Sequence, residues 1–283
     1  MSRPLRLALL ALAALLLQAC ASAPKMAKVG IDTEREMTVL RDETHRQAQR
    51  FLDADAVLAA ASVGLPAVTV ADDARVEGIT ELQAALVANR AAREVCNGLA
   101  PYYRIVEQAP ELQIELRITA VRATSRGAAG ASEVLGFFVP GPFRLPAGLG
   151  GLGVDGAARR DGVDLLVLRW AEGANPITEG AKVSTIGDAY QLAGDFAKDF
   201  VKALVDPNGD ESPNRDKLAT DAVAANKALC LARFGRASVA GRGASFLIPL
   251  APEAIDAGAP VLPEAEAVPV EEIPPVPETM PAG

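Results

Sequence analysis

The clearest hydrophobic pattern in the chain lies in residues 112–124, where apolar and polar side chains alternate. The apolar members are Leu112, Ile114, Leu116, Ile118 and Ala120, and the polar members are Gln113, Glu115, Arg117 and Thr119. Successive side chains of a strand point to opposite faces, so a period of two residues is typical of a strand with one buried face. The pattern therefore predicts a half-buried strand.

Further strands are predicted from apolar content. Residues 62–70 are rich in valine, and Pro66 indicates an edge or a bend in that strand. Residues 102–108 predict a second strand, and residues 162–173 are so largely apolar that we expect an interior strand there. A segment rich in glycine and proline follows residue 124, and within it Val134–Val139 predicts one more short strand.

Helices are predicted on both sides of these strands. Thr80 and Gln83 fit a capping box that opens a helix from Glu81 to about Cys96, and Asn97-Gly98 is a typical stop signal.

Later in the chain, apolar residues recur every four positions, which predicts an amphipathic helix with Asp188 as its N-cap. These residues are Leu192, Phe196, Phe200 and Leu204. Residues 216–234 predict a final helix that ends at Gly235. Residues 33–61 are strongly charged and favour helix, so we expect a surface helix there.

The order of these elements predicts an α+β fold: a single, mostly antiparallel sheet with helices packed on one face, forming a two-layer sandwich. We expect this domain to span residues 62–236. Residues 1–19 form a lipoprotein signal peptide, and residues 20–61 hold a lipidated cysteine, a tether and the charged helical segment. Residues 237–283 form a C-terminal extension.

The first residues predict export. Arg3 and Arg6 precede an apolar run, Leu7–Leu17, which is too short to span a membrane, and Leu-Gln-Ala-Cys follows. This ending resembles the lipobox of bacterial lipoproteins, in which the cysteine, here Cys20, carries a diacylglycerol. Two or three acyl chains anchor a protein stably. The alternative is an ordinary signal peptide with a chance cysteine at its cleavage site.

Localisation follows from the lipobox. Gram-negative lipoproteins with Asp after the cysteine are often retained in the inner membrane, and here that residue is Ala21. We therefore expect the mature protein in the outer membrane, facing the periplasm. The membrane is then one partner, through the lipid on Cys20, and an unknown envelope protein or glycan is the other.

The charge of the chain excludes nucleic acid as a partner. Without Arg3 and Arg6 the mature chain holds 26 basic and 36 acidic residues, a net charge of −10. Binding of nucleic acid needs concentrated Lys and Arg to displace counterions. The residues from Ala251 onward hold eight prolines, seven acids and no base, so we expect them to be disordered or extended.

Two cysteines remain after lipidation, Cys96 and Cys230. In the oxidising periplasm an even pair predicts a disulfide, the alternative being two buried thiols. The chain has one histidine and no Cys-x-x-Cys, so we expect no metal site.

No stretch of the sequence predicts catalysis. Gly148–Gly153 matches G-x-G-x-x-G, but no helical pattern follows it, so we expect a turn and no nucleotide cofactor. The chain has no G-x-S-x-G, and its one histidine, His45, lies outside the predicted domain. We therefore expect a non-enzymatic binding or assembly component of the envelope. The alternative is an envelope glycan hydrolase that uses a pair of carboxylates.

Three motifs together resemble a known family. They are Leu-Pro-Ala-Gly-Leu-Gly-Gly-Leu at Leu145–Leu152, Trp-Ala-Glu-Gly-Ala at Trp170–Ala174, and Gly-Asp-Ala-Tyr at Gly187–Tyr190. This set is similar to a family of bacterial lipoproteins known as domain of unknown function 3313. The resemblance covers roughly residues 62–206 and is best over 102–206. It agrees with the lipobox and implies no activity and no catalytic residues.

Overall fold

The structure is a computed structural model, and it describes residues 22–26, 31, 34–74, 78–124, 149–174, 184–209, 214–237, 251–256 and 258. The predicted signal peptide, residues 1–19, the predicted lipidation site Cys20 and the predicted strand Val134–Val139 lie outside these ranges.

Six strands form the main sheet, in the order β1-β2-β8-β7-β6-β4. Their bounds are Thr38–Asp42 (β1), Arg46–Leu52 (β2), Ala67–Val70 (β4), Gln113–Arg122 (β6), Gly151–Arg160 (β7) and Val163–Gly173 (β8). All neighbours pair antiparallel except β4, which runs parallel to β6. The prediction of a mostly antiparallel sheet is confirmed, and so is the interior position of β8, which pairs with both β2 and β7.

A second, two-stranded sheet joins Ser62–Gly64 (β3) to Arg104–Val106 (β5) in parallel. The valine-rich segment is thus divided at Leu65-Pro66: its first half enters this small sheet and its second half becomes β4 at the edge of the main sheet. Proline lacks the amide hydrogen that a ladder needs, so a break at this point is expected.

The helices of the described ranges are Ala54–Leu58 (α1), Glu81–Leu99 (α2), Gly187–Val205 (α3), Thr220–Phe234 (α4) and Pro252–Ile255 (α5). The capping box of α2 is confirmed, because Gln83 N donates to Thr80 Oγ1 and Thr80 N donates to Gln83 Oε1. The predicted end of α4 is also confirmed: Gly235 is the C-cap, with a φ of 65° that suits glycine.

The core lies between the sheet and the long helices α2 and α3. Trp170 of β8 packs edge-on against Phe196 of α3, with ring centroids 5.9 Å apart, and Phe196 stacks on Phe200. Gly156 of β7 faces these rings, and a Cβ on it would lie 2.6 Å from Phe200 Cε2. Glycine at this position lets the helix approach the sheet closely.

The predicted surface helix over residues 33–61 is wrong. The chain there forms the hairpin β1–β2 and the short helix α1. Strand β2 pairs with the apolar strand β8 over its whole length. Ladder hydrogen bonds to a long interior strand outweigh the weak helix propensity of a charged segment.

Two predicted helix ends are also wrong. Helix α2 continues through Asn97 and Gly98 to Leu99. A Cβ on Gly98 would lie 2.8 Å from Val201 Cγ2 of α3, so this glycine allows close helix packing and does not stop the helix. The N-cap of α3 is Ile186, and Asp188 lies inside the first turn, where it bonds to a neighbouring loop.

Candidate functional site

Residues Ser22, Ala23 and Pro24 are docked on the domain. Arg122 Nη1 of β6 donates to the carbonyl of Ser22 at 2.5 Å, and the amide of Ala23 donates to the carbonyl of Thr44 at 2.7 Å. Pro24 is buried, and its ring covers Gly151 at the beginning of β7. The segment therefore crosses the end of the sheet formed by the β1–β2 turn, the end of β6 and the beginning of β7.

Ile31 provides a second contact, on the sheet face opposite the helices. Its amide donates to Asp155 Oδ2 at 3.0 Å, and its carbonyl accepts from Arg169 Nη2 at 3.1 Å. Its side chain joins a small apolar cluster with Ala157, Val167, Met37 and Phe51. The segment that the sequence predicts to be a tether thus has two docking points.

Asp155 is the charged centre of the Ile31 contact. Burial raises the pKa of its carboxyl group to about 6, although the Ile31 amide and the nearby Arg169 and Arg117 favour the ionised form. Arg169 Nε lies 3.8 Å from Asp155 Oδ2. The ion pair and the backbone of Ile31 therefore form one connected polar group on an otherwise apolar patch.

Cys96 and Cys230 form a disulfide, so that prediction is confirmed. The bond joins α2 to α4, and both sulfur-bearing residues are fully buried. The pair supports the helix layer and has no exposed thiol to offer.

A carboxylate pair, which the sequence did not single out, lies between β2, β8 and α3. Arg46 Nη2 is 2.5 Å from Asp199 Oδ2, and Arg46 Nε is 3.1 Å from Glu172 Oε2. Trp170 Nε1 also donates to Asp199 Oδ2, at 2.9 Å. The sequence signal was weak, because these residues are far apart in the chain and only Trp170 stands out.

The two carboxylates of this cluster differ in exposure. The side chain of Glu172 is 16% exposed and that of Asp199 is 39% exposed. Burial raises the pKa of Glu172 to about 7 in spite of the attraction of Arg46, and the negative charges of Asp195 and Asp199 raise it further. The cluster can hold or release a proton near neutral pH.

A second buried cluster fastens the C-terminal extension to the helices. Asp256 accepts from Arg93 Nη1 at 3.1 Å and from Arg93 Nη2 at 2.6 Å, and from the Tyr190 hydroxyl at 2.5 Å. Although burial opposes it, these bonds hold the pKa of Asp256 below its ordinary value. The extension is thus bound at Asp256, which belongs to the part from Ala251 onward that the sequence predicts to be disordered or extended.

The glycine-rich run and His45, which the sequence analysis considered for chemistry, lie in a strand and in a turn of the fold. Leu149 and Gly150 lead from the glycine-rich run directly into β7, where no helix follows. His45 lies in the β1–β2 turn, 3.3 Å from Glu43. Within the described ranges, no three His, Cys, Asp or Glu side chains gather to hold a metal ion. Among the described helices, none is both long and apolar enough to cross a membrane.

This chain is similar in structure to two solved dodecamers and matches one family model. The structures are a PelC dodecamer from Paraburkholderia phytofirmans and a dodecamer of a point variant of that protein. Each is similar to this chain at 10% identity, over 56% of this chain and 96% of the PelC chain, with TM-scores of 0.37 and 0.35. No curated protein matches the chain. A family model matches residues 36–200, more than half of the chain. The chain belongs to the family described as "Protein of unknown function (DUF3313)".

Proposed function

We propose that this chain is a lipoprotein, held by acyl chains on Cys20 in the outer membrane and facing the periplasm, and that its domain is a non-enzymatic binding or assembly component of the envelope. The observation that carries the proposal is the docking of Ser22, Ala23, Pro24 and Ile31 on the sheet. It supports anchoring because Ser22, two residues after Cys20 in the sequence, is bonded to the domain, so that a lipid on Cys20 would keep the domain close to the bilayer.

The docking also gives the anchor a mechanical role. A free linker of a dozen residues would let the domain rotate over the membrane surface. With Ser22 bonded to Arg122 and Ala23 bonded to Thr44, the lipid would hold one end of the sheet against the headgroups. The other sides of the domain would then face the periplasm in a fixed orientation, which suits a component that other envelope molecules must meet.

The test is a Cys20→Ala variant expressed in a Gram-negative host. We expect the unaltered chain in the outer-membrane fraction and the variant in the soluble periplasmic fraction. A Cys96→Ala, Cys230→Ala double variant is the control for loss of cysteine, and it should remain in the membrane. Retention of the Cys20→Ala variant in the membrane would contradict the proposal.

Docking has its own measurement. In the mature protein the amides of Ala23 and Ile31 should exchange slowly with deuterium, because each donates a hydrogen bond to the domain. Rapid exchange at both positions would mean that the segment is a free linker, even if the lipid is present.

A second candidate function, hydrolysis of an envelope glycan, is favoured by the pKa of Glu172. A carboxyl group with a raised pKa beside another carboxylate is the arrangement of many glycosidases. Here both carboxylates are paired with Arg46, and Glu172 is mostly buried, which favours a structural ion network. Release of sugars from cell-wall sacculi by the purified protein, abolished by Glu172→Gln, would establish hydrolysis. We expect no release.

A further inference from the structure

A long groove runs along the outside of the helix layer, between α2 and α3. The two helices run in the same direction, with Arg90 beside Gly194 and Gly98 beside Val201. The cavity has a volume of about 730 Å³ and extends from Gln191 in the first turns of α3 to Asp206 just after its end. Fifteen helical residues correspond to about 22 Å, so the groove suits an elongated ligand.

The walls of the groove carry balanced charge. Three cationic and three anionic side chains line it: Arg90, Lys198, Lys202, Glu94, Asp195 and Asp206. They pair locally, as Lys198 with Asp195 at 2.7 Å and Arg90 with Glu94 at 3.7 Å. A groove without net charge does not select an anionic or a cationic ligand.

Three polar side chains in the groove have unused bonding capacity. They are the amides of Asn97 and Gln191 and the hydroxyl of Tyr102. Within the described part of the chain, none of the three has a side-chain hydrogen bond. An amide offers two donors and one acceptor, and the phenol offers one of each and an apolar ring face. The site can therefore meet a ligand that presents donors, acceptors and C–H groups together.

From these features we infer that the groove binds a segment of a neutral oligosaccharide. Adjacent hydroxyl groups of a sugar both donate and accept, so they match side-chain amides and carboxylates, and the C–H face of the ring matches Tyr102. An apolar ligand would cover the charged side chains of the groove without offering them hydrogen bonds, which is unfavourable. Pockets for small apolar ligands accordingly have few polar groups. This inference names the ligand class of the binding component proposed above, and it rests on that proposal.

The test uses the full chain, purified from membranes in detergent, and titrates it with three hexasaccharides. The probes are a hexamer of N-acetylglucosamine, a hexamer of glucose and a hexamer of galacturonate. We expect at least one neutral hexamer to bind and to shift the backbone amide signals of Gly98 and Gly194. We expect the anionic hexamer to bind more weakly than the neutral one.

Variants connect the binding to the groove. Loss of one hydrogen bond should weaken affinity about 2- to 10-fold, so we expect that effect for Asn97→Ala and for Gln191→Ala, and a larger loss for the pair. Gln113→Ala is the matched control, because Gln113 is an exposed amide on β6 outside the groove. Its affinity should be unchanged.

Three results would overturn the inference: no neutral hexamer binds at 10 mM, the galacturonate hexamer binds best, or the groove variants bind as the control does. The outcome does not depend on lipidation, because a soluble Cys20→Ala chain keeps the groove. Failure of sugar binding is therefore distinguishable from failure of the membrane anchor.

Discussion

Replacing Asp256 by alanine removes the carboxylate that neutralises a buried arginine. The side chain of Arg93 is 5% exposed and that of Asp256 is fully buried, and two hydrogen bonds of 3.1 and 2.6 Å join them. In the Asp256→Ala protein the guanidinium keeps only the Tyr190 hydroxyl, 3.1 Å away.

The expected loss in the free energy of unfolding follows from the burial of both charged side chains. Breaking a buried ion pair by removing one partner costs about 3–5 kcal/mol, because the other charge stays desolvated. Replacing both charges by apolar residues of similar volume is often nearly neutral. We therefore expect Asp256→Ala to lower the free energy of unfolding by about 3 kcal/mol or more, and an Arg93→Met, Asp256→Leu double variant to recover most of that loss.

Urea unfolding followed by circular dichroism measures these differences. Glu253→Ala is the matched control, since Glu253 lies on the same short helix and bonds to Gln83 and Ser184 but is exposed. Its loss should be below about 1 kcal/mol. A loss below about 1 kcal/mol for Asp256→Ala would refute the reasoning, because it would mean that the C-terminal segment is not held in the folded domain.

Three further predictions concern the domain itself. Burial raises the pKa of Glu172 from 4.5 to about 7, so the folded protein keeps a proton that the unfolded chain releases. The free energy of unfolding should thus fall by up to ~3 kcal/mol as the pH rises from 5 to 8, a slope that Glu172→Gln should reduce in urea titrations at each pH. The Cys96–Cys230 bond joins residues 134 positions apart, and reducing it should lower the free energy of unfolding by up to about 5 kcal/mol, because the unfolded chain gains entropy. Urea unfolding with and without reductant measures this loss. An unchanged urea midpoint would contradict the prediction. Gly156→Ala places a methyl group 2.6 Å from Phe200 and should cost about 1–3 kcal/mol, seen as a lower melting temperature, whereas an unchanged melting temperature would show that the ring can move aside.

The elements that sequence predicts well are those whose own side chains define a period. Strand β6 and helix α3 each bury one face against the core, so their apolar residues recur at two and at about four positions. The capping box of α2 and the glycine after α4 are equally local signals. None of these needs knowledge of a distant partner.

The hairpin β1–β2 could not be predicted in this way, because its pattern is set by distant residues. The side chain of Arg46 forms ion pairs with Glu172 and Asp199, so a charged residue occupies a position where an apolar one would signal a strand. The strand exists because β8 supplies a ladder of partners.

The candidate sites depend on long-range contacts for the same reason. Asp256 meets Arg93 across 163 residues, and Ile31 meets Asp155 across 124. The acidic, proline-rich composition of the tail predicts disorder for the segment as a whole. Composition does not reveal that one of its residues, Asp256, is buried. The lipobox needs no long-range contact, because its signal lies in a few consecutive residues, and lipidation of Cys20 stays a prediction.

The most direct test of the membrane anchor is the intact mass of the mature protein, extracted from membranes and alkylated without reduction. We expect a chain that begins at Cys20, carries the mass of the acyl groups and has no alkylated thiol, since Cys96 and Cys230 are bonded. An unlipidated chain that begins beyond Cys20 would contradict the anchor and would indicate a soluble periplasmic protein.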